Sequence, residues 1–316
     1  MFRSIELHNV GRIDLGRVRA AMTLEQLRIF VAVAERQHLT AAAAALNLTP
    51  SAVSAAIRAL ESRHGLQLFH RIGRRIERTE AGTIFLDEAR ATLARAAAAE
   101  QTLAELSGLT RGTLRIETSQ TIGSYWLPPR LTRFHDRYPA ITLDTAFGNT
   151  QTVARAVLTG TAELGLIEGA IDEPALASRV VAEDRLILVG APGHALAGQA
   201  MVTAGMLARQ RWAMREPGSG TRSELETALR RHGLAAGSLE IALDLPSNEA
   251  LCSAVEASAL VAVVSELVAA PRLAAGRLVR LAFVLPPRTF SLVRHRERHR
   301  SRAALAFEAT LDGTAG

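Results

Sequence analysis

The apolar positions of this chain follow three successive patterns. From residue 24, Leu24, Leu27, Phe30, Val31 and Ala34 recur at helical spacing, and Thr23 with Gln26 three residues later has the spacing of a capping box. A second helix is predicted after Thr40, over residues 41–46, stopped by Asn47. A third starts at once: Thr49 is a good cap, Pro50 suits the first helical position, and the pattern runs to His64 before Gly65. Two helices joined by so short a turn have helix-turn-helix spacing. In the third helix Val53, Ile57 and Leu60 share the core face, while Ser51, Ala55, Arg58 and Ser62 lie opposite, with Thr49 and Ser54 near its start. Such a polar, partly basic face fits a DNA major groove. Further on, Ile72 and Ile76 flank Gly73-Arg74-Arg75, which reads as a β-hairpin wing. Its arginines, Arg71, Arg74 and Arg75, are placed to meet phosphates or a narrow minor groove.

The second pattern is one long stripe. Residues 83–106 hold neither glycine nor proline and are long enough for a single helix of about 36 Å. Phe85, Ala89, Thr92, Ala96, Ala99, Leu103 and Leu106 alternate steps of four and three, the seam of a coiled coil, although a helix packed on its own domain would share the pattern. Ser107-Gly108 ends it.

From residue 112 strands and helices alternate, which predicts an α/β fold with largely parallel sheets. Strands are expected at 113–117, 141–147, 164–168, 185–189, 239–243 and 260–264, and helices at 125–138, 150–159, 223–231 and 248–257. In such folds ligands sit beyond the carboxyl ends of strands, where helix N-termini point at them. Small polar residues collect at those positions. They are Thr118, Ser119, Gln120 and Thr121 after the first strand, Asn149 and Thr150 after the second, and Glu168 at the end of the third. Gly218, Ser219, Gly220 and Thr221 lead into one helix and Asn248 into another. Each loop alone reads equally well as an ordinary polar cap; together they read as a cradle for a small anion.

Composition narrows the chemistry. All 37 basic side chains of the 316 residues are arginine, so Schiff-base and phosphate-loop lysines are excluded. Residues 1–80 hold 12 arginines against 7 acids, whereas residues 112–285 hold 16 against 17, which places a polyanion partner at one end. Nine histidines lack any metal-binding spacing, so no metal and no cofactor are expected. The single Cys252 excludes an intrachain disulfide, sits in an apolar helical context as a buried thiol, and fits a reducing, cytoplasmic compartment. No apolar run approaches the roughly 18 residues of a membrane span.

The run Leu24-Glu25-Gln26-Leu27-Arg28-Ile29-Phe30, then Leu39-Thr40-Ala41-Ala42-Ala43, then Thr49-Pro50-Ser51-Ala52-Val53-Ser54 resembles the LysR-type transcriptional regulators. So do Ile57-Arg58-Ala59-Leu60-Glu61, Leu68-Phe69-His70-Arg71 and Thr79-Glu80-Ala81-Gly82, and the resemblance extends from residue 22 to the end. It departs at Pro50, where the family often has glutamine, and at Ala55, where it has a long polar or basic residue; base reading then falls on Thr49, Ser51, Ser54 and Arg58. The resemblance implies a winged helix-turn-helix domain over 22–82, a dimerisation linker helix over 83–109 and a two-lobed α/β effector domain over 110–316, similar to type 2 periplasmic binding proteins. Lobe I would comprise 110–172 and 286–316, and lobe II 173–285. Residues 1–21 form an N-terminal extension, with Met22 a candidate start.

The family further implies a homodimer or homotetramer on double-stranded DNA, a small effector between the lobes and an effect on RNA polymerase. Gly148-Asn149-Thr150, residues 164–169 and residues 215–222 are similar to regulators of sulfur assimilation, and residues 215–222 also to regulators of carbon fixation. The rival class, a solute-binding component of a transporter, calls for a signal peptide and no basic helix-turn-helix. No catalytic constellation emerges, so no enzyme is expected.

Overall fold

The computed structural model describes residues 22–72, 75–106 and 112–312 and divides at Leu93/Ala94 into two compact units. In the first, helices α1 (Leu24–Arg36), α2 (Leu39–Ala45) and α3 (Pro50–His64) precede a hairpin of β1 (Phe69–Ile72) and β2 (Arg75–Arg78), and α4 (Glu80–Leu106) begins after it. The capping box forms as predicted: Gln26 N–H donates to Thr23 Oγ1 at 3.1 Å, and Thr23 N–H to Gln26 Oε1 at 3.2 Å. The second helix starts earlier than predicted, at Leu39, because His38 supplies the cap by accepting from Ala41 N–H. It meets α3 at a bend of 108°, in the range of helix-turn-helix pairs.

Leu27, Phe30, Val33, Val53, Ile57, Leu60, Phe69 and Ile76 build one buried core, in which the ring of Phe30 lies 5.4 Å from Phe69 and 4.7 Å from Phe85. Glu61 ties α3 to the hairpin by accepting from Leu68 N–H at 2.8 Å and Phe69 N–H at 3.2 Å. The predicted seam of α4 is only partly free for another chain. Phe85 and Ala89 are committed to this core, because α4 starts three residues earlier than predicted and packs its first turns on α1. Thr92, Ala99 and Leu103 remain exposed. No single helix among the described residues is long and apolar enough to cross a membrane.

The second unit alternates β3 (Gly112–Ser119), α5 (Pro128–Arg137), β4 (Ile141–Gly148), α6 (Thr150–Thr159), β5 (Leu164–Glu168) and β6 (Leu176–Gly190). Then follow α7 (Ala204–Leu207), β7 (Arg211–Arg215), α8 (Gly220–Arg231), β8 (Glu240–Leu245), α9 (Asn248–Glu256) and β9 (Ala262–Ser265). The chain finishes with α10 (Glu266–Ala274), β10 (Val279–Leu281), β11 (Pro287–His295) and α11 (Arg302–Asp312). Strands run in the order β10-β6-β11-β5-β3-β4 with β9 also on β6, while β7 and β8 pair separately. β3 is parallel to β4 and β5, and β11 runs antiparallel to β5 and β6.

Two apolar cores flank β6. Leu114, Phe134, Leu166, Phe290 and Phe307 centre the first lobe; Trp212, Leu229, Val261 and Val263, with Cys252 and Val264 behind them, centre the second. β6 is far longer than the strand predicted at 185–189, because it serves both lobes in turn. Residues 176–185 pair with β11 in the first lobe, and residues 186–190 pair with β9 and β10 in the second. β6 therefore passes from the pairing of the first core to that of the second near Leu186. The helix predicted over 125–138 is instead a π-helical turn, Ile122–Trp126, followed by α5, since Pro128 and Pro129 lack the N–H groups a continuing helix would need. Burial pushes the Cys252 thiol up to about 11, the behaviour of a packed thiol.

Candidate functional site

The helix-turn-helix face is built by capping chemistry. Thr49 Oγ1 accepts from Ala52 N–H at 3.2 Å and lies 3.0 Å from Ser51 Oγ, so the start of α3 carries two adjacent exposed hydroxyls. One turn on, Arg58 Nη1 donates to Ser54 Oγ at 2.7 Å across the same face, opposite buried Val53, Ile57 and Leu60. Thr49, Ser51 and Arg58 are exposed and Ser54 is half-buried, while Thr40 is exposed on α2. The hairpin pairs Arg71 with Ile76 and Ile72 with Arg75, a wing register. Gly73 and Arg74 lie outside the described residues, as do the side chains of Arg71 and Arg75.

The effector-site residues predicted from the sequence come together at the seam between the two lobes. From the first lobe come the end of β3, the end of β5 and the N-terminus of α6; from the second, the N-termini of α8 and α9. Glu168 is the centre. Its carboxylate accepts from Ser119 Oγ and Thr121 N–H, each at 3.0 Å, from Thr221 Oγ1 at 3.2 Å and from Arg288 Nη1 at 2.6 Å. Burial alone would push this carboxyl up. Arg288, the donors Thr121 and Ser119 and the charge of Arg215 override that and hold it below the ordinary glutamate range. Arg288, fully buried, also donates to Asp184 Oδ2 at 2.7 Å and to Thr221 Oγ1 at 2.9 Å, and Ser265 Oγ donates to Asp184 at 2.7 Å.

Further hydrogen bonds cross the seam. Asn248 Nδ2 donates to Thr121 Oγ1 at 3.2 Å, Gln120 Nε2 to the Pro246 carbonyl at 2.6 Å, Asn248 N–H to Gln120 Oε1 at 3.3 Å, and Asn149 Nδ2 to Glu216 at 3.2 Å. Arg215 reaches Asn248 Oδ1 at 2.8 Å and clasps Glu216 with two bonds. Thr150 Oγ1 donates to the Glu168 carbonyl at 3.1 Å. Gly220 must be glycine, because a Cβ there would lie 2.5 Å from that carbonyl oxygen and 2.8 Å from Thr150 Oγ1. Gly218, at φ +88°, lies against Gln151 and Asn149. Ser219 is buried at the start of α8, and Thr118 donates only to the neighbouring Ser119 carbonyl.

Sequence reasoning missed Arg215, Glu216, Arg288 and Asp184 as site residues. Arg215 and Glu216 were visible inside the motif at 215–222, but Arg288 and Asp184 carried no local signal: they stand opposite each other only through the β6–β11 register. The consequence for recognition is large. Arg288 is neutralised by two carboxylates and Arg215 by one, so the cage formed by these loops already holds the chain's own anion, Glu168.

The chain matches two family profiles. Residues 24–83 match the bacterial regulatory helix-turn-helix protein, lysR family, and residues 107–315 the LysR substrate binding domain. It is 36% identical to the HTH-type transcriptional regulator YeiE of Escherichia coli over 288 residues, covering 90% of this chain and 96% of that one. It is 32% identical to the RuBisCO operon transcriptional regulator of Allochromatium vinosum, covering 90% and 96%. Full-length CbnR, solved in complex with its target DNA, superposes with a TM-score of 0.66 at 22% identity over 92% of this chain and 99% of that one, which shows the shared fold. A helix-turn-helix unit joined to this sensing domain does not favour the transporter reading. The chain belongs to the LysR family of helix-turn-helix transcriptional regulators, with an N-terminal DNA-binding domain and a C-terminal LysR substrate-binding domain.

Proposed function

We propose that this regulator binds a two-fold promoter operator through α3 and the wing, and that a small anionic effector at the seam between its lobes adjusts that binding. The observation that carries the reading is the convergence of the N-termini of α6, α8 and α9 on one buried set of hydroxyls, amides and two arginines. Helix N-termini and hydroxyl donors favour negative charge. In the described state Glu168 satisfies them, so an effector must compete with the chain's own carboxylates, above all Glu216 at Arg215. A ligand that binds an opened seam better than this closed one shifts the population, which is the differential affinity that allosteric control requires.

Thr49, Ser51, Ser54 and Arg58 read bases, Thr40 supports them, and Arg71, Arg74 and Arg75 contact the backbone. Exposed Thr92, Ala99 and Leu103 form the remaining seam of a dimer that assembles further into a tetramer, so paired recognition helices change spacing on DNA and alter RNA polymerase access. The protein works in the cytoplasm, catalyses no reaction and needs no cofactor. The name of the Allochromatium vinosum relative and the resemblance of residues 215–222 support control of carbon fixation or sulfur metabolism.

The test is a thermal-shift screen of sulfate, sulfite, thiosulfate, O-acetylserine and phosphorylated carbon-fixation metabolites, followed by fluorescence anisotropy on operator DNA. An effector that stabilises the protein and changes operator affinity, with both effects abolished in Arg215→Gln, is the expected result. Effector responses unchanged in Arg215→Gln would overturn the seam as the binding site.

A further inference from the structure

A second basic site lies away from the seam. A cavity of about 680 Å³ opens between the last turns of α4, residues 94–102, and the first-lobe surface formed by β3, the α6–β5 turn and the segment joining β11 to α11. Five arginines line it: Arg95, Arg115, Arg294, Arg298 and Arg300. Only two carboxylates, Glu163 and Glu297, share the lining, and Glu163 is engaged in holding Ser301 through its N–H at 2.7 Å and Oγ at 2.9 Å. Arg115 has Asp144 at 3.7 Å and Arg300 has Glu308 at 2.8 Å, both outside the lining.

The remaining three arginines face no carboxylate within ion-pair distance among the described residues. Arg298 spends its two terminal nitrogens on the carbonyls of Val157 and Leu158 at the end of α6, and its buried Nε has no acceptor. Arg95 is held against it. A Cβ built on Gly160 would meet Arg298 Nη1 at 2.9 Å and Arg95 Cδ at 3.0 Å, so the two side chains border one point. Burial first and the charge of Arg95 second push the Arg298 guanidinium down, and burial with the charges of Arg298 and Arg95 does the same to His295. Like charges are thus gathered around a cavity and left uncompensated, a cost that a bound anion would remove. The volume falls within the roughly 300–1,000 Å³ typical of small-molecule sites.

We propose that this cavity is a second ligand site, independent of the lobe seam, which takes a small organic polyanion, phosphorylated or polycarboxylate, bound by Arg95, Arg294 and Arg298. A ligand here fastens the last turns of α4 to the first lobe.

The test is isothermal titration of the full-length protein at low ionic strength with two probes, citrate and inorganic pyrophosphate, which separate carboxylate from phosphate recognition. Saturable binding of at least one probe is expected, weakened at least about tenfold in Arg95→Gln/Arg294→Gln and retained in the seam variant Arg215→Gln. The Arg95 and Arg294 pair is chosen because Arg298 also caps α6. Its replacement risks unfolding, whereas circular dichroism of the double variant should match the wild type. No saturable binding of either probe, equal affinity in the double variant, or loss of binding in Arg215→Gln would each overturn the proposal.

Discussion

Arg288→Met removes the one cation that holds two buried carboxylates. Its guanidinium lies 2.6 Å from Glu168 and 2.7 Å from Asp184, with the arginine side chain wholly buried and both carboxylates 2% exposed. Methionine fills much of the same volume, so the loss is electrostatic more than a cavity. Breaking a buried ion pair by deleting one partner costs about 3–5 kcal/mol, because the other charge stays buried and uncompensated. For a domain of this size each kcal/mol moves the midpoint by about 2–4 °C, so the transition should fall by about 6–20 °C. Both tryptophans, Trp126 and Trp212, belong to the second unit, so their fluorescence follows the unfolding of this domain and not of the helix-turn-helix. Glu168→Gln alone should cost less, since Arg288 keeps Asp184, and adding Glu168→Gln to Arg288→Met should recover part of the loss. A shift below about 2 °C for Arg288→Met, or additive effects in the double variant, would refute the claim that this pair organises the seam.

Gly220→Ala places a methyl 2.5 Å from the Glu168 carbonyl oxygen; the lobes must part or strain by about 1–3 kcal/mol, read as a lower midpoint in the same fluorescence assay. Acid should act through Glu168. Its carboxyl is held low in the folded chain, so the stability it contributes is complete above the ordinary glutamate value of about 4.3 and drains away as pH falls further through the folded value, measurable by urea titration between pH 7 and 3. Arg58→Ala should weaken operator binding by about 1–3 kcal/mol and relax its sequence preference, read by anisotropy on operator and mixed-sequence duplexes; an unchanged ratio of the two affinities would remove Arg58 from base reading. Cys252, buried with its thiol raised to about 11, should resist iodoacetamide in the native protein and react only on unfolding.

The helix-turn-helix was legible because its signals are local. A Thr23–Gln26 capping box, a Thr49-Pro50 start, an apolar face at 53, 57 and 60 and a glycine stop at 65 each act within one or two turns of the chain. The strand-end polar residues were legible for a similar reason: alternation places them at carboxyl ends whatever the detailed packing. Three features were decided only by tertiary structure. The length of β6 depends on pairing with β11, β9 and β10, none of them its neighbour in sequence. The commitment of Phe85 and Ala89 to the first core depends on where α4 meets α1, which a heptad stripe cannot report. The ion network at the seam needed residues 168, 184 and 288 to be brought within hydrogen-bond reach across as many as 120 positions. Periodicity records which face of an element is buried; which charge faces which across the fold is settled by strand register and by the requirement that a buried charge find its partner.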